Sequence, residues 1–113
     1  MFSIERHVVG SYRTNCYVLT SAGQAIVIDP GDEGDRLIRE LGEADVSHIV
    51  LTHCHSDHIG AVNELAERYG AIVCVGRDDA VGVADPHLSG FDEEGSDYRV
   101  ERVDRLLDDG DAL

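Results

Sequence analysis

Three short apolar runs, residues 24–28 (QAIVI), 46–52 (VSHIVLT) and 71–75 (AIVCV), alternate with two stretches of helical spacing. No other feature constrains the fold as tightly. The first of these runs, nearly all apolar, predicts a strand covered on both faces, the habit of parallel sheets. The segments between the runs are long enough to be crossover helices, so residues 24–75 predict parallel pairing in an α/β fold. The first helix is expected from Asp32, a capping residue behind the turn Asp29-Pro30-Gly31, to Leu41. Leu37, Ile38 and Leu41 share its apolar face, and Gly42 is its stop. The second is expected from Ile59 to Tyr69, where Ile59, Val62, Leu65, Ala66 and Tyr69 recur at three and four, before Gly70 ends it.

Upstream, residues 4–9 (IERHVV) and 14–20 (TNCYVLT) are rich in β-branched and aromatic side chains and predict two further strands joined at Gly10-Ser11. Downstream, residues 77–97 combine glycine, proline and acids, and predict mostly loop with a short helix near 78–84. Residues 98–107 alternate loosely and predict a last strand. A length of 113 residues fits a single domain, 1–113.

Charge excludes several functions. The nine basic side chains are all arginine, set against 23 acids, for a net charge of −14. A nucleic-acid binder needs a basic footprint, so no nucleic-acid partner is expected. Apolar runs of four or five residues, such as 25–28 and 71–75, fall far short of a membrane span. Glu5, Arg6 and His7 interrupt the place where a signal sequence would need its apolar stretch. Residues 92–111 carry nine acids against three arginines, which reads as a solvated face. Cys16, Cys54 and Cys74 are an odd set and form no disulfide framework. Cys16 and Cys74 read as small buried hydrophobes, in keeping with a reducing, cytoplasmic compartment.

The chemistry is concentrated in residues 53–58 (HCHSDH), directly after an apolar strand and directly before a helix. Carboxyl ends of strands are where α/β proteins place ligand sites. His53, His55, Asp57 and His58 are four strong metal donors in six positions. Burying them without metal would leave several polar groups in need of partners. In an extended chain, residues 53, 55 and 57 point the same way. His53 and His55 can therefore hold one ion together, and the turn into the helix carries Asp57 and His58 to an adjoining position. Two ions roughly 3.5–4 Å apart would suit hydrolysis. Cys54 points the opposite way and is not expected to be a ligand, while Thr52 and Ser56 read as local hydrogen-bond partners.

The string LTHCHSDHIGA, preceded by AIVIDPG, resembles the metallo-β-lactamase superfamily, and most nearly its glyoxalase II-like (hydroxyacylglutathione hydrolase-like) branch. TNCYVLT resembles that branch's second strand, ELAERYGA its central helix, and LLDDGDAL the segment that leads to its next metal ligand. The resemblance implies the first half of a four-layer αβ/βα sandwich, a mixed β-sheet with two main helices. It implies that His53 and His55 bind a first metal and that Asp57 and His58 bind a second. Asp57 would also orient the attacking water, and Asp29 would support the site without being a ligand. The implied cofactor is zinc, two ions in the complete site, with iron or manganese as alternatives. The implied reaction is hydrolysis of a small-molecule thiolester.

Three further ligands of that family have no counterpart among the 113 residues: a histidine in a Gly-His-Thr turn, a bridging aspartate and a late histidine. His7 and His48 fall in expected strands, and His87 in a loop beside Pro86. The chain thus reads as the amino-terminal half of such a domain. Two other functions are consistent with the motif: an iron-dependent sulfur dioxygenase of the same superfamily, and a non-catalytic metal-binding fragment. Half a sandwich exposes an apolar sheet face, so self-association is expected. Acidity with arginine but no lysine is consistent with adaptation to high salt.

Overall fold

The computed structural model describes residues 2–112. Six strands form one sheet whose order in space is their order in the chain. Strands β1 (Phe2–Val9), β2 (Thr14–Ser21) and β3 (Gln24–Ile28) run antiparallel, β1 to β2 and β2 to β3. Strands β4 (Asp45–Leu51), β5 (Ile72–Gly76) and β6 (Arg105–Leu107) continue from β3 in parallel. This is the expected α/β arrangement, with α1 (Gly34–Leu41) crossing from β3 to β4 and α3 (Val62–Tyr69) from β4 to β5.

The strands alternate as half-buried strands do, and this corrects the expectation of cover on both faces for residues 24–28: Ala25 and Val27 are buried, whereas Ile26 and Ile28 on the other face are not. Cys16, Val18, Ala25, Val27, Ile49, Leu51, Val73 and Val75 turn to one face and form a single core with Leu37 of α1 and Val62 and Leu65 of α3. The register sets a second row on the opposite face: Ile4, Leu19, Ile26, His48 and Ile72 lie side by side across five strands. That face is open. Phe2 is 63% exposed, Ile4 60% and Ile72 42%.

Four further expectations are corrected. Asp32 does not cap α1: its Oδ1 accepts from the Glu33 amide, and Glu33, in the left-handed region at φ 57°, sits at the helix start. Gly42 does end α1, its amide donating to Ile38 O at 2.8 Å. The second helix is two helices, α2 (Ser56–Ile59) and α3, because the amides of Gly60 and Ala61 donate to Gly31 O and Pro30 O.

Residues 77–97 are not mainly loop. A 3₁₀ turn (Arg77–Asp79) leads into α4 (Ala80–Val83), then α5 (Pro86–Ser89) and a second 3₁₀ turn (Asp92–Glu94). Asp85 caps α5 by accepting from the His87 amide at 2.9 Å, with Pro86 at the first helical position, where its missing N–H costs nothing.

Residues 98–104 are not strand: residues 99–101 bond to Asn63 and Val83, and only Asp104 reaches β5, its amide donating to Val73 O at 2.8 Å. Asn63 Nδ2 donates to Arg99 O, the Glu101 amide donates to Asn63 Oδ1, and the Val100 amide donates to Val83 O. Only residues 105–107 remain for the sheet. Among the described residues, no helix is long and apolar enough to cross a membrane.

Candidate metal centre

Strands β3 and β4 run parallel and end together, so the residues that follow them meet at one edge of the sheet. The Asp29 amide donates to Val50 O at 3.0 Å, and the chain then reverses at Asp29 itself, at φ 55°. Few residues with a β-carbon accept that conformation, and aspartate is among those that do. The next turn presses against residues 53–58. A β-carbon on Gly31 would lie 1.8 Å from the Asp57 carbonyl oxygen, and one on Gly60 would lie 2.4 Å from Gly31 O. Two glycines thus let the Asp-Pro-Gly turn and helix α2 share backbone contact, which seats residues 53–58 against Asp29.

Asp29 is 5% exposed, and both of its carboxylate oxygens are occupied. Oδ1 accepts from the Thr52 amide at 2.7 Å. Oδ2 accepts from the Thr52 hydroxyl and lies 3.0 Å from His58 Nδ1. The Thr52 hydroxyl also lies 2.8 Å from His53 Nδ1. Asp57 Oδ2 accepts from Thr14 Oγ1 at 3.0 Å and lies 3.6 Å from His58 Nε2. The imidazoles of His53 and His58 have their centroids 4.7 Å apart, and those of His53 and His55 are stacked at 6.1 Å. One donor atom from each of Asp29, His53 and His58 falls within 4.8 Å of the others.

The structure therefore brings Asp29, His53, Asp57 and His58 to one place, while His55 stands at its margin, stacked on His53 and outside the cleft lining. An open cleft lies over the first four, lined also by Tyr12, Arg13 and Tyr17. Cys54 packs under Gly82, where a β-carbon would lie 2.6 Å from Sγ. Burial first, and the neighbouring Asp79 second, push the Cys54 thiol above its ordinary pKa. The other histidines are engaged elsewhere: His7 with Glu40 at 2.7 Å, His48 with Ser47 at 2.9 Å and His87 with Asp92 at 3.0 Å.

Two supporting residues carry little signal in the sequence. Thr14 is the first residue of β2 and reaches Asp57 across 43 positions. Glu94 accepts from Ser56 Oγ at 2.5 Å and ties the second 3₁₀ turn to residues 53–58. Thr52 and Ser56, expected to bond locally, find distant partners: Thr52 bonds to Asp29, 23 positions away, and Ser56 to Glu94, 38 positions away.

The donor set suits a borderline divalent cation: imidazole and carboxylate serve zinc, iron and manganese alike. The Metallo-beta-lactamase superfamily is matched over residues 9–113, and the chain belongs to it. A relative from Bacillus subtilis, described as a probable metallo-hydrolase, YqgX, is 34% identical over 107 residues, covering 91% of this chain and 50% of that protein. The hydroxyacylglutathione hydrolase GloC of Haemophilus influenzae is 37% identical over 71 residues, covering 60% of this chain and 34% of that protein. The crystal structure of the BLEG-1 B3 metallo-beta-lactamase superposes with a TM-score of 0.89 at 29% identity, covering 98% of this chain and 56% of that one. The chain spans about half the length of the YqgX relative.

Proposed function

We propose that these 113 residues carry the first four metal ligands of a metal-dependent hydrolase that acts on thiolesters. The observation that carries the reading is that His53, Asp57 and His58 line one cleft, with His55 stacked on His53 and a buried carboxylate behind them with both oxygens engaged. In this reading His53 and His55 hold one ion, and Asp57 and His58 hold the second. Zinc is the proposed metal. Bound divalent ions supply a nucleophile at neutral pH and a Lewis acid for a carbonyl. The chain's own part is to hold geometry. Thr14 fixes the Asp57 carboxylate so that it can accept a proton from, and aim, the attacking water. Asp29 fixes the His58 ring from behind. Two ligands per ion are fewer than the three that catalytic zinc sites take from protein. The complete site in this reading draws the rest from outside these residues. The similarity to a hydroxyacylglutathione hydrolase supports a thiolester of a small thiol as substrate, and three free cysteines support a reducing, cytoplasmic setting.

Metal analysis and turnover test this together. The expected result is zinc bound at His53–His58, and hydrolysis of S-acyl glutathione by the chain or by a longer form that contains it, lost on chelation. One iron per chain with oxygen consumption on a persulfide substrate would replace the reading with a sulfur dioxygenase. Weak metal binding and no turnover in either form would leave a non-catalytic fragment.

A further inference from the structure

Asp29 touches one of the two imidazoles that face each other across the site, and Thr52 touches the other. A carboxylate only accepts hydrogen bonds, and a threonine hydroxyl has one proton to give. Thr52 donates that proton to Asp29 Oδ2. Its oxygen can then only accept from His53, so His53 Nδ1, 2.8 Å away, carries the hydrogen. His58 Nδ1, 3.0 Å from the same carboxylate oxygen, carries its hydrogen for the same reason. Both rings are therefore held with Nε2 as the lone-pair nitrogen. Asp29 fixes one directly and the other through a hydroxyl.

We propose that Thr52 is a positioning residue that extends the reach of Asp29 to His53, so that one buried carboxylate presets a histidine in each half of the metal loop. Thr52 is itself exposed, so Thr52→Val disturbs no core packing, although Asp29 Oδ2 loses one of its two partners. The geometry also says what Asp29 does not do. Its oxygens are occupied by Thr52 and His58, so taking an ion through Asp29 would break the contacts that orient both rings.

The proposal deepens the metal-site reading above. Its first readout is made on metal-free protein, so the two can fail separately. In the 113-residue chain, long-range nitrogen–proton correlation spectra at alkaline pH report which ring nitrogen carries hydrogen. Wild type is expected to show Nδ1–H at both His53 and His58. Thr52→Val, which keeps the backbone amide and the side-chain shape, is expected to release His53 to the Nε2–H form and leave His58 unchanged. Thr52→Ser is expected to restore the wild-type pattern. Zinc alone, titrated against a chelator, is expected to bind the valine variant roughly 10–100-fold more weakly, with recovery in the serine variant. An Nε2–H His53 in wild type overturns the proposal, whether or not Thr52→Val folds. An unchanged His53 tautomer in a folded Thr52→Val, or lost affinity that serine does not rescue, also overturns it.

Discussion

At the scale of single residues, the site depends on a side chain in a strained place. Left-handed backbone costs a residue with a β-carbon roughly 1–2 kcal/mol, and Asp29 adopts it at φ 55°. Asp29→Gly would relieve the backbone and remove the carboxylate. The expected outcome is a protein that folds but holds zinc roughly 10–100-fold more weakly by chelator competition, with wild-type affinity as the refuting result. Cys16 lies behind the same region and is fully buried. Burial first, and the Asp29 charge second, push its thiol up to about 12. Burial also pushes the Tyr98 hydroxyl up to about 12. Both groups hold their protons more tightly when folded, so their contribution is intact below their ordinary pKa values and is lost as pH rises toward 12. Stability is expected to fall between about pH 9 and 12, and Cys16→Ala is expected to flatten part of that slope in urea titrations. A slope unchanged by the substitution would refute the assignment. The ligand loop is legible in the sequence because four donors crowd six positions. Thr14 and Glu94 are not, because a single threonine or glutamate gains its meaning only from what stands opposite it in space.

At the scale of elements, the glycine contact between the Asp-Pro-Gly turn and α2 decides where residues 53–58 stand. Gly31→Ala would drive a methyl group into the Asp57 carbonyl, and is expected to destabilise the fold by about 1–3 kcal/mol or more and to weaken metal binding with it. Gly76→Ala is the matched control, since its nearest neighbour is 3.9 Å away. Equal chemical denaturation midpoints for the two would show that the contact does not matter. Tyr98 ties residues 96–101 to the α2–α3 junction. Its hydroxyl donates to Ile59 O at 2.8 Å and accepts from the Asn63 amide at 3.3 Å. Tyr98→Phe is expected to cost about 1–3 kcal/mol, because a buried carbonyl and amide lose their partner. Strands β2 to β5 are legible from composition alone, since β-branched runs bounded by glycine leave little choice. The break at Gly60-Ala61 is not, because it follows from hydrogen bonds to a turn thirty residues upstream. The Asp85-Pro86 cap carried its own local signal, although a segment rich in glycine and acids reads first as loop.

At the scale of the whole molecule, two surfaces pull against each other. The net charge of −14 favours dispersal, while the open sheet face presents the row from Ile4 to Ile72. We propose that the 113-residue chain self-associates through this face, with the acids setting the salt dependence. Sedimentation is expected to show association that strengthens as salt screens the charge, and that Ile4→Lys weakens. A monomer at every concentration and ionic strength would refute it. Thermal stability is likewise expected to rise from low to molar salt, and indifference to salt would count against adaptation to brine. Strand order has a further consequence, in time rather than in space. Because each strand pairs with the one made just before it, the sheet never has to wait for a distant segment to fill a gap. It can grow by one edge at a time as the chain leaves the ribosome. By the time α3 emerges, β3, β4 and the loop of residues 53–58 can already stand together, so the metal loop can take shape early in the life of the chain.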